Sequence, residues 1–338
     1  MTPLIQAIVD RADRGESFAV CLLAKTSGST PQKAGALMLV GADGRIDGTI
    51  GGGCTEAEAR TQALAALTRH EQPSSEKGTS EAVVADHWLR FELNQDYGWD
   101  DGLVCGGVMH VLIQIIRDST DAEPWRRALQ RLTAGQPAIT PLRAVDDNGQ
   151  TVDLNHECEP TPRLTIAGAG HVGQALAHVA RSAGFEITVI DDRADAASEA
   201  RFPNADRIIA PIDAELRRTA LGDNDYVVIV TRGHRHDGQA LEAVVRSNAR
   251  YIGLIGSRRK VIAIYESLME LGVTRDQLGR VHAPIGLRIG AVSPEEIAIS
   301  IAAELIAIRR GQPPQAAESM RLASRYLDQI ADRQTHPA

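Results

Sequence analysis

No run of apolar residues in this 338-residue chain approaches the ~18–20 that a membrane-spanning helix needs. Positive charge is not in excess either. The 36 Lys and Arg stand against 44 Asp and Glu, a formal net charge of -8, which argues against broad binding to nucleic acid or an anionic membrane. The segment from Met1 to Gly15 has no basic stretch followed by an apolar core, so it reads as a short amphipathic helix and not a secretory signal. The expected location is therefore the cytoplasm. Cysteines are few: Cys21, Cys54, Cys105 and Cys158. None forms a CxxC pair, so neither a structural zinc site nor, in a reducing compartment, a disulfide is expected. Internal repeats and low-complexity tracts are absent as well. With 43% hydrophobic and 24% charged residues, the chain has the composition of an ordinary globular protein, long enough for two domains.

Against this background one stretch stands out, Gly51-Gly52-Gly53-Cys54-Thr55-Glu56. Three glycines strip a loop of side chains, so that backbone N–H groups can crowd around an anion while a sulfur faces the same spot. Thr55 and Glu58 have capping-box spacing, which predicts a helix from Thr55 to Arg69. A thiol at the positive end of a helix is a candidate sulfur carrier or soft-metal ligand. The alternative is a cysteine packed in a tight strand–helix turn. Glu56 either contacts a ligand or complements the helix dipole. A second element, Cys105-Gly106-Gly107, supplies either another thiol for the same pocket or a bulge before a strand. Cys21 lies in an apolar run and reads as core filler. Cys158 reads as an incidental residue of a polar linker.

Periodicity organises the rest. A helix is expected near residues 4–12, strands at 18–24, 36–40 and 45–50, then the helix after the glycines. Strands follow at 83–93 and 108–116, a helix at 124–132, and strands near 138–145 and 150–153. Residues 155–162 break the pattern and mark a domain boundary. The second half alternates strands near 163–167, 186–190, 207–210, 226–230 and 251–255 with helices at 171–183, 194–201, 237–247, 257–271 and 294–309. Such alternation of apolar strands and helices means a parallel sheet covered on both faces. The expected fold class is α/β: an α+β domain over 1–154, a doubly wound Rossmann-like domain over 163–312, and a helical tail over 313–338.

Gly168-Ala169-Gly170-His171-Val172-Gly173 follows the first of these strands and opens the next helix, and Asp191 ends the second strand ~20 residues on. In that context a pyrophosphate sits on the helix N-terminus and the carboxylate takes a ribose hydroxyl. Asp191 favours a 2′-hydroxyl over a 2′-phosphate, although Arg193 beside it weakens the choice. His234, His236 and Asp237 read as polar crevice or helix-cap residues, since the sequence offers no further ligand to complete a metal set. Arg258, Arg259 and Lys260 either hold a phosphate or form a solvated helix start.

Taken together, Gly-Gly-Gly-Cys54-Thr-Glu56, Cys105-Gly-Gly, Gly168-Ala-Gly-His-Val-Gly173, Tyr251-Ile-Gly-Leu-Ile-Gly-Ser-Arg-Arg-Lys260 and Pro284-Ile-Gly-Leu-Arg-Ile-Gly-Ala291 resemble the XdhC/CoxI family of xanthine dehydrogenase accessory factors. The segment Ser293-Pro294-Glu295-Glu296-Ile297-Ala298 extends the likeness, which spans about residues 4–310. One departure is visible. An Arg is expected shortly after Pro31, where Gln32 and Lys33 stand.

The resemblance implies a chaperone that binds molybdenum cofactor, protects it, supports exchange of an oxo for a sulfido ligand, and delivers it to a molybdenum hydroxylase apoenzyme. Under that reading Gly51, Gly52, Gly53, Cys54, Glu56 and Cys105 form the cofactor site, with Cys54 and Cys105 as ligands to its molybdenum. Gly168, Gly170, His171, Gly173, Asp191 and Arg258 line the Rossmann crevice, for NAD(P) or another nucleotide. The implied partners are the apoenzyme, a cysteine desulfurase and a second copy of the chain in a homodimer, with no nucleic acid or membrane. Two alternatives remain open. One is an NAD(P)-dependent oxidoreductase, for which no general acid–base set is defined. The other is an enzyme that transfers sulfur through a persulfide on Cys54.

Overall fold

The structure, a computed structural model, describes residues 2–68, 83–84, 86–93, 107–146 and 148–311. It divides into two units, Met1–Pro160 and Thr161–Ala338.

The first unit runs α1 (Thr2–Asp13), β1 (Phe18–Ser27), β2 (Leu37–Gly41), β3 (Ile46–Gly48), α2 (Gly53–Thr68), β4 (Val83–Val84), β5 (His87–Glu92), β6 (Val108–Ile116), α3 (Glu123–Thr133), β7 (Ala138–Val145) and β8 (Thr151–Cys158). Five strands form an antiparallel sheet in the order β3-β2-β1-β6-β5. Its central strand β1 is buried from Phe18 to Leu23, which explains the unbroken apolar run. Phe18, Val20 and Leu22 pack with Ile5 and Ile8 of α1 and Trp125 and Leu129 of α3. Ala19, Cys21 and Leu23 face the other way, toward Ala59 and Ala63 of α2. Alanines four apart let that helix lie close to the sheet.

Strand β8 pairs with β7 along its whole length, from Val145↔Thr151 to Ala138↔Cys158. The break expected at 155–162 therefore starts four residues later, at Glu159, and Cys158 is not in a linker. Asn155 and Glu157 point outward while His156 and Cys158 point into the core, 3% and 2% exposed. The polar letters that suggest a linker are mostly the outward half of a strand's alternation. Burial pushes the Cys158 thiol up to about 12 and lowers the His156 imidazole to about 4.

The second unit runs β9 (Arg163–Ala167), α4 (His171–Ser182), β10 (Glu186–Asp191), β11 (Asp206–Ile209), α5 (Ile212–Arg218), β12 (Asp225–Ile229), α6 (His234–Val244), β13 (Tyr251–Leu254), α7 (Arg258–Glu270), α8 (Arg275–Gly279) and α9 (Pro294–Arg309). All five strands are parallel, ordered β11-β10-β9-β12-β13. This is the doubly wound α/β class, with one core against α6 and α7 and the other against α4 and α9. Two expectations fail here. Residues 194–201 form successive turns, not a helix. Arg201 Nη1 donates to the Ala196 carbonyl at 2.8 Å, and Phe202 is buried in the core, so tertiary contacts override helix propensity. Conversely α5, whose apolar face is only Ile212 and Leu216, is too short to show in the periodicity.

A carboxylate closes the second unit. Glu304 of α9 is fully buried. It accepts hydrogen bonds from Tyr251 Oη at 2.6 Å and Gly286 N at 2.8 Å, and its other oxygen lies 3.0 Å from His282 Nδ1. Burial alone would raise its pKa, but His282 and these donors outweigh that and leave the carboxyl below its ordinary value. Among the described residues no helix is long and apolar enough to cross a membrane.

Candidate functional site

The triple glycine forms the turn between β3 and α2. All three glycines have left-handed backbones, with φ of 128°, 75° and 62°. A Cβ on Gly51 would press on Pro31 Cγ at 3.2 Å and Gln32 Cβ at 3.3 Å. One on Gly52 or Gly53 would meet no described atom within 4 Å, so among the described residues nothing covers the outer side of the turn. The helix starts at Gly53, two residues before the expected Thr55. Thr55 is inside the helix and 3% exposed, and Glu58 accepts from Gln62 Nε2 at 2.8 Å, so the expected capping box does not form.

Glu56 takes the role assigned to that box. Its Oε2 accepts from Thr49 Oγ1 at 2.7 Å, Gly52 N at 3.0 Å and Ile50 N at 3.3 Å. Thr49 Oγ1 in turn accepts from Gly51 N at 3.1 Å. The N–H groups of Gly51 and Gly52 are therefore spent inside the turn, which corrects the expectation that the loop offers them to an anion. The donors left are those of Gly53, Cys54 and Thr55, in the first helical turn, where no intrahelical acceptor exists. Cys54 is exposed. Cys21 and Cys158 are buried, and burial pushes the Cys21 thiol also up to about 12.

Cys105 lies outside the described residues. Gly107, the last residue of its element, shows why glycine stands there. A Cβ would collide with the Ser29 carbonyl oxygen and reach Ser27 O at 2.8 Å. The segment 27–32 after β1 thus touches Gly107 through Ser29 and Gly51 through Pro31 and Gln32. Lys33 is exposed beside it.

In the second unit the glycine fingerprint divides its labour. Gly168, with φ of 118°, lies against the Val230 carbonyl, which a Cβ would meet at 2.6 Å. A Cβ on Gly173 would collide with the Gly168 oxygen, so only glycine lets α4 pack on β9. Gly170 faces open space and precedes the exposed His171 at the head of α4. Asp191 does not reach outward. It is 2% exposed and accepts from Ala169 N at 2.7 Å and from Arg193 N, Nε and Nη2 at 3.0, 2.9 and 3.0 Å. Burial would raise its carboxyl, but Arg193 and the backbone donors bring it to about 2. Asp192, the next residue, is exposed and accepts from Arg232 Nη2 at 3.1 and 3.4 Å. Asp237 is buried, accepting from Thr231 Oγ1 at 2.5 Å and pairing with Lys260 Nζ. This makes it a structural anchor of the crevice. Arg258 is exposed at the start of α7, after the capping Ser257. Among the described residues, no group of three or more His, Cys, Asp or Glu could hold a metal ion.

A model of the XdhC and CoxI family matches residues 11–74, and a model of the XdhC Rossmann domain matches residues 164–305. The chain belongs to the XdhC/CoxI family. Several relatives of this XdhC/CoxI protein are known. An Escherichia coli protein, the uncharacterised YqeB, is 30% identical over 298 residues, covering 88% of this chain and 44% of its own length. The chain thus spans less than half of that relative. A Bacillus subtilis protein, named as a probable subunit of xanthine dehydrogenase, is 27% identical, covering 87% of this chain and 94% of its own. The molybdenum cofactor insertion chaperone PaoD of Escherichia coli is 25% identical, covering 91% and 89%. A Bacillus halodurans crystal structure, described as a xanthine dehydrogenase, shares the fold with a TM-score of 0.75 at 24% identity, covering 93% of this chain and 97% of that one.

Sequence reasoning misses two parts of the site. Glu56 reads as a ligand contact or dipole partner, yet its position four residues after Gly52 is what a brace across the turn requires. Nothing in the pattern distinguishes the roles of Asp191 and Asp192, because side-chain direction at a strand end is not carried by it.

Proposed function

We propose that the protein binds molybdenum cofactor and delivers it to an apoenzyme of the xanthine dehydrogenase type. The observation that carries this reading is the exposed thiol of Cys54 at the head of the 16-residue α2, on a turn whose outer side no described residue covers. Cys21 and Cys158, by contrast, are buried. A thiolate is a soft ligand suited to molybdenum, and first-turn N–H groups suit a phosphate. The family and the function named for PaoD support the same reading. Cys105 is the second thiol we assign to the site.

The test is to load the full chain with molybdenum cofactor, pass it over gel filtration, and measure retained molybdenum and transfer to a hydroxylase apoenzyme. Cys54→Ser is expected to keep its melting temperature, since the side chain is exposed, and to lose retention about tenfold, the range for a lost metal ligand or its support. Equal retention and transfer by the variant would overturn the assignment of Cys54.

Sulfur exchange is a finer part of the proposal. After incubation with a cysteine desulfurase and cysteine, the peptide carrying Cys54 is expected to gain one sulfur in mass. No gain on that peptide would remove the sulfur-carrier role and leave delivery intact.

A further inference from the structure

A cavity of about 110 Å³ opens at the strand ends of the second unit, and cofactor delivery gives it no role. It lies between the ends of β10 and β12, on either side of β9, where the strand order reverses. That is the crevice in which doubly wound sheets take ligands. At this volume it can enclose only part of a ligand, since whole-ligand pockets are usually ~300 Å³ or more. The remainder would extend over the open glycine turn at Gly170 and the N-terminus of α4.

The lining has three chemical parts. Pro211 and Ile212 offer an apolar wall, and Asp213 at the start of α5 adds an acceptor. Asp192 adds a second acceptor, which takes hydrogen bonds from Arg232 and lies 3.9 Å from Arg193 Nε. Asp191 also lines the cavity, but all its oxygen capacity goes to Ala169 and Arg193. Arg193 is thereby withdrawn as a phosphate partner. Arg232, the one arginine in the lining among the described residues, is paired with Asp192. Asp191 is fully engaged, and Asp192 and Asp213 each lie beside an arginine, so what the wall offers hydroxyl and amino groups is the oxygens of these last two carboxylates.

We propose that this cavity binds the nucleoside end of a nucleoside diphosphate whose ribose 2′- and 3′-hydroxyls are both free, with Asp192 accepting from the diol. The base lies against Pro211 and Ile212, with its exocyclic amino group donating to Asp213, and the pyrophosphate lies at Gly170 and the head of α4. Selectivity for the free diol thus comes from Asp192, and the residue at the strand end proper, Asp191, serves to hold the turn and to neutralise Arg193.

Calorimetric titration of the full chain with ADP, 2′-deoxy-ADP, UDP, NAD⁺ and NADP⁺ tests this. NAD⁺ is expected to bind at least about tenfold more tightly than NADP⁺, and ADP about tenfold more tightly than 2′-deoxy-ADP, the worth of a hydrogen bond to a charged group. ADP is also expected to outbind UDP, whose base lacks an amino group. In Asp192→Ala, whose exposed side chain is not needed for folding, both ribose preferences should collapse while the melting temperature holds. Equal affinity for NAD⁺ and NADP⁺, or no binding of any of these nucleotides by the folded protein, would overturn the proposal. Retention of both preferences in Asp192→Ala would overturn the role of that residue.

Discussion

Two glycine-rich turns lead strands into helices here, and they solve the same problem from opposite directions. At Gly51–Gly53 the carboxylate that braces the turn comes from the following helix: Glu56 reaches back to Thr49, Ile50 and Gly52. At Gly168–Gly173 it comes from the neighbouring strand, where Asp191 takes the Ala169 N–H. In both turns the acid that looks ligand-facing in the sequence is spent on backbone. What remains free differs. The first turn presents a thiol, Cys54; the second presents bare backbone at Gly170 and passes carboxylate duty to Asp192. A conspicuous acid beside a glycine turn is as much a sign of how the turn is held as of what it binds.

Gly173→Ala should break the comparison most severely. Its Cβ would collide with the Gly168 oxygen, a backbone atom that cannot swing aside, so a stability loss of about 3 kcal/mol is expected. Gly170→Ala, three residues away and facing open space, should change stability by less than about 0.5 kcal/mol. Denaturant unfolding of the two variants measures both.

Next in size is Asp191→Asn. The folded carboxyl titrates at about 2 against its ordinary 3.8. As pH falls through that interval the unfolded chain takes up the proton first. The contribution, about 2 kcal/mol, is therefore complete above about pH 4 and lost between about pH 4 and pH 2. Asp191→Asn should lose that amount at neutral pH and show a flatter stability profile over the same acid window.

Glu56→Ala should cost less than Gly173→Ala or Asp191→Asn, about 1 kcal/mol, because the groups it frees are partly open to water. Hydrogen exchange at the Gly52 amide should quicken while that at Ala169 stays unchanged. Faster exchange at both would mean the two braces are not independent.

The second unit is largely legible in the sequence because its signals are redundant. Five short apolar strands, a glycine fingerprint and an acid at the end of the second strand all point to one topology. What escapes are segments with little periodic signal, such as α5, and residues 194–201, where helix-favouring letters yield to the packing of Phe202 and the reach of Arg201. In the first unit the glycine turn and its cysteine are visible, but the helix start is not. Thr55 and Glu58 satisfy the spacing rule on paper, yet Glu56 wins because Thr49 and Ile50, just past the preceding strand, bring their donors to it. Such a choice depends on where β3 delivers the chain, which no local pattern encodes. The inward His156 and Cys158 are hidden for a related reason, since their polar neighbours dominate the composition.

The buried Glu304 also bears on how the chain matures on the ribosome. The elements of the first unit are complete once its first 160 residues have emerged, so it can fold while synthesis continues. The second unit has no such early exit. Tyr251 and the Gly286 amide lack their acceptor until residue 304 leaves the tunnel. Strand β13 must wait, half-assembled, for α9, and a nascent chain stalled before that point would expose the apolar face that α9 is made to cover.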